Sequence, residues 1–161
     1  MTLWKKIGIY DLIQLSKNSY TVNSELMGGA LYFWDKTSHT FYTPYDMIIP
    51  TLLDVAAITG IPLLGEEILT TTKSTTGVKY AIDISSTTYQ SFILNNRGQD
   101  EAPISDNEHI AFLLYWLSGV VFCAWSIQVE VIYLPLAIML VEGRKLYLSK
   151  LFLARLYLTL D

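Results

Sequence analysis

The longest charge-free stretch of the chain, Ile110–Val129, limits the possible folds more than any other sequence feature. Its 20 residues are mostly apolar, and about 20 such residues cross the hydrocarbon core of a bilayer. Acidic residues flank the stretch, Glu108 before it and Glu130 after it, and no adjacent basic residue could orient a membrane span. We therefore expect a helix buried on all sides within a helical domain. A small integral membrane protein spanning at 110–129 is the alternative.

The composition indicates an ordered, acidic chain. Hydrophobic residues occupy 52% of the 161 positions and charged residues 16%, whereas intrinsic disorder requires low hydrophobicity and high net charge. The 11 Lys and Arg residues against 15 Asp and Glu residues give a net charge of −4. Because basic side chains that contact phosphates dominate the affinity for nucleic acids, this balance argues against direct nucleic-acid binding.

Capping signals delimit the helices in the second half of the chain. Ser105 and Glu108 have the spacing of a capping box at the start of the long apolar segment. Pro135 predicts the start of the next helix and Gly143 its end, since proline fits a first helical turn and glycine a left-handed C-cap. Ser149 predicts the N-cap of a last helix.

The first half of the chain combines a capped helix with strand signals. Thr51 is a candidate N-cap with Asp54 as the capping-box acid, Gly60 is placed for a left-handed C-cap, and Pro62 stops any continuation. Before this helix, two short runs of strand-forming residues flank a turn that contains proline. They predict one small β-hairpin over residues 40–49.

Two further helices and a polar region complete the pattern. Helical spacing of apolar residues predicts a helix within 3–15, and Ser24 predicts the N-cap of a second helix. Residues 66–104 are polar and include the low-complexity tract 70–77, which is typical of a linker or insertion. A short helix over 88–94 is expected inside this region.

These signals predict a single, mainly α-helical domain, compact and with one small β-hairpin. We expect N-terminal helices and the hairpin over 1–65, the polar linker or insertion over 66–104, and apolar helices over 105–161. The last helical pattern is still in phase at Asp161. We therefore expect the domain to be truncated at its C-terminus.

Three segments carry a family resemblance: Phe33–Glu66 (FWDKTSHTFYTPYDMIIPTLLDVAAITGIPLLGE), Glu108–Cys123 (EHIAFLLYWLSGVVFC) and Tyr133–Asp161 (YLPLAIMLVEGRKLYLSKLFLARLYLTLD). Together they resemble the plant mobile domain, also called the aminotransferase-like plant mobile domain. The opening segment Trp4–Tyr10 (WKKIGIY) resembles the first helix of that domain. The resemblance covers nearly the whole chain and corresponds to the N-terminal half of the family's domain.

The resemblance implies a mainly helical plant protein. Members of the family occur in transposable elements of the Mutator and Gypsy kinds and in nuclear host proteins of the MAINTENANCE OF MERISTEMS and MAIN-LIKE group. For the host proteins it implies a role in transposon silencing, genome integrity and meristem maintenance, together with a plant serine/threonine phosphatase of the PPP superfamily. We therefore expect a non-catalytic, nuclear protein-interaction domain without a cofactor, or a transposon-derived copy of one.

The resemblance also singles out a set of signature positions. We expect these positions to be mostly structural: Trp34, His39, Thr40, Phe41, Asp54, Gly60, Pro62, Glu108, His109, Trp116, Pro135 and Gly143.

No residue pattern predicts a catalytic, cofactor-binding or metal-binding residue. Pyridoxal phosphate needs a Schiff-base lysine, an acid at the pyridine nitrogen and a phosphate cup, and only the pair Ser149–Lys150 is faintly similar to such a lysine site. His109 and Cys123 would lie ~21 Å apart on a continuous helix. A zinc site would have to gather His39, His109 and Cys123 without short paired spacings. An enzyme with an unrecognised site remains the second alternative.

The aromatic, cysteine and histidine side chains have simpler structural interpretations. We expect Trp34, Trp116 and Trp125 to be core or partner-facing anchors, and Trp4, on a terminal helix, to make a surface contact. Cys123 stands among apolar residues and is expected to be buried and structural. His39 is expected to hydrogen-bond within its own loop, and His109 to pack its ring and bond a carbonyl.

Overall fold

The computed structural model describes residues 3–18, 20–68, 80–99, 102–123 and 127–161. The predicted low-complexity tract 70–77 and Trp125 lie outside these described residues.

Two compact units make up the chain, and each unit combines two separate segments. Unit 1 contains residues 1–7 and 66–146, and unit 2 contains residues 8–65 and 147–161. Each unit therefore brings together two segments that are far apart in the sequence.

Helices dominate the secondary structure and a small antiparallel sheet accompanies them, which confirms the predicted fold class. The helices are α1 (Leu3–Ile7), α2 (Tyr10–Leu15), α3 (Ser24–Tyr32), α4 (Leu52–Thr59), α5 (Tyr89–Asn96), α6 (Asp106–Trp116), α7 (Leu134–Val141) and α8 (Leu148–Leu160). The strands are β1 (Trp34–Asp35), β2 (Thr40–Tyr42) and β3 (Met47–Ile48).

The core of unit 1 is built around α6, which packs against α5 and α7. Leu113 and Leu114 of α6 are fully buried, as are Leu140 of α7 and Phe92 of α5. Burying side chains of this size contributes about 1.5–3 kcal/mol each. A largely buried helix in this region is thus confirmed, but it is not buried on all sides, because Phe112 is 38% exposed.

The prediction of a continuous helix over 110–129 is wrong. Helix α6 ends at Trp116, a π-helical turn follows over Leu117–Val121, and Cys123 has a left-handed φ of 43°. The buried Ser118 hydroxyl donates to the Leu114 carbonyl at 2.8 Å and accepts from the amide of Glu130 at 3.0 Å. This tertiary bond ties the returning chain to the end of the helix, and apolar periodicity cannot reveal it. In the part of the chain that the structure describes, no helix is both long and apolar enough to cross a membrane.

The core of unit 2 lies where α4 contacts α2 and α8. Ile13 of α2, Val55 of α4 and Leu148 of α8 are buried there. The hydroxyl of Tyr157 donates to the Pro50 carbonyl at 2.7 Å, which attaches α8 to the segment that enters α4.

The sheet has the strand order β1-β2-β3, with both pairs antiparallel. Phe41 is the register partner of Trp34 on one side and of Ile48 on the other. The predicted hairpin over 40–49 is confirmed. The sequence did not reveal β1, because its polar neighbours Lys36–Ser38 have the composition of a turn.

Local capping signals predicted α4 correctly and two other helix starts incorrectly. Thr51 and Asp54 form the reciprocal capping box, and Gly60 is left-handed with a φ of 69°. In α3, however, the Asn23 side chain is the N-cap rather than Ser24. Helix α8 starts one residue before Ser149.

Ser149 does not cap α8 because its hydroxyl has another partner. It is fully buried and donates to the Pro62 carbonyl at 3.2 Å. The first predicted helix is also interrupted, at Gly8, whose φ is 80°. A Cβ there would lie 2.8 Å from Cγ of Pro62, so the backbone conformation and the close approach both require glycine.

Candidate functional site

A pocket of about 240 Å³ lies between α5 and α6 in unit 1. Its walls are mostly apolar. It is lined by Phe92, Ile93, Asn96 and Arg97 of the α5 segment and by Glu108, Ala111, Phe112 and Tyr115 of α6.

Helical periodicity explains why these residues share one surface. Along each helix the lining positions recur at intervals of three or four residues, the spacing at which side chains stand above one another on one face. Phe92 and Ala111 are buried, whereas Ile93 and Phe112 are 45% and 38% exposed. The buried pair therefore forms the floor of the pocket, and the exposed pair lies at its mouth.

The polar residues of the wall have distinct roles. The Asn96 amide donates to the carbonyls of Asp83 and Phe92, and its oxygen accepts from the amide of Asp83 at 2.8 Å. Asn96 is thus occupied with holding the segment before α5. The Glu108 carboxylate lies so close to Gly98 that a Cβ there would be 2.6 Å from Oε2.

Trp4 contacts two residues of α6, His109 and Phe112. The Trp4 indole nitrogen donates to Nε2 of His109 at 2.7 Å, so the neutral imidazole carries its proton on Nδ1. The Trp4 ring also stacks on Phe112, with centroids 5.5 Å apart. Burial lowers the pKa of His109 below the ordinary 6.5, and the nearby Asp106 partly opposes this shift. Trp4, which is part-exposed, is therefore also an internal partner of α6.

A second aromatic pair holds Tyr115. The rings of Tyr89 and Tyr115 meet edge to face with centroids 5.1 Å apart. Burial, and secondarily the neighbouring Tyr115, raises the pKa of Tyr89 above its usual value. A Cβ at Gly119 would lie 3.2 Å from the Tyr89 hydroxyl, so a small residue at this position allows the tyrosine to approach the π-helical turn.

Three signature residues of unit 2, Trp34, His39 and Phe41, lie in one cluster. Asp161 Oδ1 lies 3.2 Å from Nδ1 of His39 and accepts from the Trp34 indole nitrogen at 3.3 Å. Trp34 also contacts Phe41 and Tyr157, with centroids 4.9 and 5.9 Å away. His39 has a left-handed φ of 53°. The prediction that its ring bonds within its own loop is therefore wrong, because the ring reaches across the unit to the end of α8.

Other signature positions lie at turns, caps and in the core. The side chain of Thr40 is 2.7 Å from the Ser38 hydroxyl, and Trp116 is 3% exposed. Pro135 lies in the first turn of α7, and Gly143 after that helix has a φ of 82°. Ser105 caps α6 by accepting from the amide of Glu108 at 3.2 Å.

The candidate metal ligands are not brought together. Among residues 3–18, 20–68, 80–99, 102–123 and 127–161, no three His, Cys, Asp or Glu side chains are placed to hold a metal ion. Cys123 is exposed, and its thiol lies 3.5 Å from the Val120 carbonyl. The prediction that Cys123 is buried is therefore wrong, because the chain leaves the helix at Phe122.

A comparison of the sequence with models of known protein families assigns the chain to a family. The model of the plant mobile domain matches residues 8–161, which is nearly the whole sequence. This chain belongs to the plant mobile domain family. Neither a curated protein nor a solved structure matches it significantly. The resemblance carried by the three sequence segments is thereby confirmed. In this plant mobile domain, the pocket between α5 and α6 is a feature that the motif residues alone did not reveal.

Sequence reasoning missed most of the pocket for an identifiable reason. Phe92 and Tyr115 belong to helices that were predicted, but no pattern within either helix indicates that α5 and α6 pack against each other. The three-to-four residue spacing of Glu108, Ala111 and Tyr115 was a usable signal. It was hidden because α6 is apolar on nearly every face.

Proposed function

We propose that this plant mobile domain is a non-catalytic protein-interaction domain that acts in the plant nucleus. The family that it resembles includes the MAINTENANCE OF MERISTEMS and MAIN-LIKE host proteins, and this supports a role in transposon silencing, genome integrity and meristem maintenance. A transposon-derived copy would present the same surface. The family match over residues 8–161 supports this proposal, and it includes all of unit 2. The observation on which the proposal depends is the exposed apolar surface of helix α3 in that unit.

Helix α3 exposes apolar side chains along its length. None of its nine residues, all of them described, is buried. Leu26 and Tyr32 are 71% and 85% exposed, and Met27 and Leu31 are 49% and 45% exposed. A helix shorter than about 12–15 residues is marginal in water by itself, and contiguous exposed apolar patches mark interaction surfaces. We therefore assign α3 to contact with a protein partner.

The two glycines of α3 suit such a contact. A Cβ added at Gly28 or at Gly29 would meet no atom within 4 Å, so packing inside this unit does not require glycine at either position. Glycine in a helix interior costs about 1 kcal/mol relative to alanine. A partner backbone that approaches α3 closely would give both residues a role.

The proposed partner is a plant serine/threonine phosphatase of the PPP superfamily, which the family resemblance supplies. The environment of Ser149 and Lys150 argues against a pyridoxal phosphate site at this pair. Lys150 is exposed in the first turn of α8, and the neighbouring Ser149 is bonded to the Pro62 carbonyl. A Schiff-base lysine would need an enclosed cofactor site around it.

Affinity purification from plant nuclei tests the proposal. The tagged chain should recover a PPP-type phosphatase, and a variant with Met27→Gln and Leu31→Gln should recover at least tenfold less. Leu158→Gln is the matched control, because this leucine is also strongly exposed but lies on α8. Equal recovery with the α3 variant would contradict the role of α3. Failure of the unmodified chain to recover the phosphatase would contradict the proposed partner.

Two further measurements test the remaining parts. A fluorescent fusion should accumulate in plant nuclei, and steady exclusion from nuclei would contradict the proposed location. Pyridoxal phosphate added to the purified chain should produce no Schiff-base absorbance band. A stoichiometric band that disappears in Lys150→Met would contradict the non-catalytic assignment.

A further inference from the structure

The pocket between α5 and α6 is open at one end and closed at the other by buried apolar side chains. Phe92 is 1% exposed and Ala111 is 5% exposed at its floor, while Ile93 and Phe112 border the solvent. Ligand pockets in proteins are concave, mostly apolar and equipped with a few placed polar groups. This pocket has that composition on a small scale.

Two of its aromatic walls are held in place from outside the pocket. Trp4 stacks on Phe112 and donates a hydrogen bond to His109, so two contacts hold the indole. Tyr89 holds the ring of Tyr115 edge to face. Walls that are already ordered lose little conformational entropy when a ligand enters, and preorganisation of this kind increases affinity.

The volume indicates the size of the occupant. A cavity of about 150 Å³ with Leu, Ile and Phe walls binds benzene, and this pocket measures about 240 Å³. A two-ring aromatic group therefore fits better than a single ring, which would leave part of the apolar wall without contacts. Aromatic walls also favour a flat partner, because offset and edge-to-face ring contacts add about 0.5–1.5 kcal/mol to area burial.

The charged groups of the wall favour an aromatic group that carries one donor. Glu108 lines the pocket, and its carboxylate can accept an N–H bond, which is stronger when the acceptor is ionised. Arg97, the C-cap residue of α5, is the other charged residue of the lining. An indole combines the size, the flat faces and the single N–H donor.

We infer that the preorganised pocket between Phe92, Ala111, Phe112 and Tyr115 binds a tryptophan side chain of a protein partner, with its indole N–H directed to Glu108. Tryptophan is among the residues that most often dominate the binding energy of an interface. The inference rests on the proposed function, since it takes the occupant to be part of a protein partner.

Small aromatic probes test the pocket directly on the purified chain. The probes are 3-methylindole, which is the tryptophan side chain, and toluene, which is the phenylalanine side chain, with binding measured by ligand-observed NMR. We expect 3-methylindole to bind at least fivefold more tightly than toluene. Tighter binding of toluene would overturn the assignment to tryptophan. An absence of 3-methylindole binding up to its solubility limit would overturn the pocket as a site.

Variants separate the pocket from other surfaces. Ala111→Met fills the floor and should weaken 3-methylindole binding at least tenfold. Ile93→Asp, at the exposed mouth, should weaken it similarly without a change in the core. Ile132→Ala is the control, because this residue is 77% exposed and outside the lining. Circular dichroism verifies that each variant is folded, and unchanged binding in Ile93→Asp would contradict the inference even if Ala111→Met does not fold.

The donor bond has its own readout. N-methylation of the probe removes the indole N–H, so 1,3-dimethylindole should bind several-fold more weakly than 3-methylindole. Glu108→Ala should reduce this difference. An unchanged preference in Glu108→Ala would contradict the role of the carboxylate.

The outcomes for the pocket and for the proposed function are distinguishable. Probe binding uses only the purified chain, whereas phosphatase recovery depends on α3. Probe binding without phosphatase recovery contradicts the proposed partner alone, and recovery without probe binding contradicts the pocket alone.

Discussion

Replacement of Ser118 by alanine should destabilise unit 1 strongly for so small a change. The side chain is 0% exposed, and its hydroxyl both donates to the Leu114 carbonyl and accepts from the amide of Glu130. Ser118→Ala therefore deprives the Glu130 N–H of this acceptor in a partly buried position. Losing such a partner costs about 1–3 kcal/mol.

The magnitude is large enough to measure by ordinary unfolding experiments. For a domain of this size a change of 1 kcal/mol moves the melting temperature by about 2–4 °C, so a midrange loss of ~2 kcal/mol corresponds to about 4–8 °C. The urea midpoint should fall while the slope of the unfolding free energy stays the same. Circular dichroism at 222 nm follows both transitions.

Thr159→Ala is the matched control for this experiment. Its hydroxyl also donates to the carbonyl four residues earlier, at 2.8 Å, but the residue is exposed. Its loss should change the stability by less than about 0.5 kcal/mol. If Ser118→Ala unfolds at the same urea concentration as Thr159→Ala, the bond to the Glu130 amide does not hold the returning chain.

Three further predictions concern pH, a helix end and a tertiary hydrogen bond. Burial lowers the pKa of His109 in the folded state below 6.5, so the unfolded state binds more protons than the folded state. The melting temperature should therefore fall as the pH drops below about 6.5 towards the lowered folded-state pKa. The variant His109→Gln should show a flatter dependence of the melting temperature on pH. Gly60→Ala should lower the unfolding free energy by at least about 1–2 kcal/mol, because the position has a φ of 69°. Gly28→Ala should instead stabilise α3 by up to about 1 kcal/mol. Urea midpoints that rank the two variants in the opposite order would contradict this. Tyr157→Phe removes the 2.7 Å bond to the Pro50 carbonyl and should lower the unfolding free energy by about 1 kcal/mol, and an unchanged urea midpoint would show that the bond contributes nothing.

Local chemistry made part of the fold predictable from the sequence. The capping box of Thr51 and Asp54 and the left-handed Gly60 depend only on residues within one helix and its ends. The hairpin likewise depends on one turn and its flanking residues. Such signals lie within a few residues of each other, so a single sequence contains all the information they require.

Tertiary partners overrode local signals elsewhere. Ser149 is a residue type that often forms an N-cap, but its hydroxyl donates to the Pro62 carbonyl, 87 positions away. His109 bonds Trp4 at a separation of 105 positions. The candidate pocket depends on the same kind of tertiary pairing. Helices α5 and α6 each contribute one row of lining residues, and the sequence of one helix does not show that it packs against the other.

The discontinuous make-up of the two units has a practical consequence for anyone mapping activities by deletion. Cleavage between Gly65 and Glu66 would leave both units without a segment, because residues 1–7 complete unit 1 and residues 147–161 complete unit 2. A fragment starting at residue 8 would lack Trp4 and with it the ring stacked on Phe112. Point substitutions on an intact chain, rather than shortened versions, are therefore the sound way to assign a binding activity to either half of the molecule.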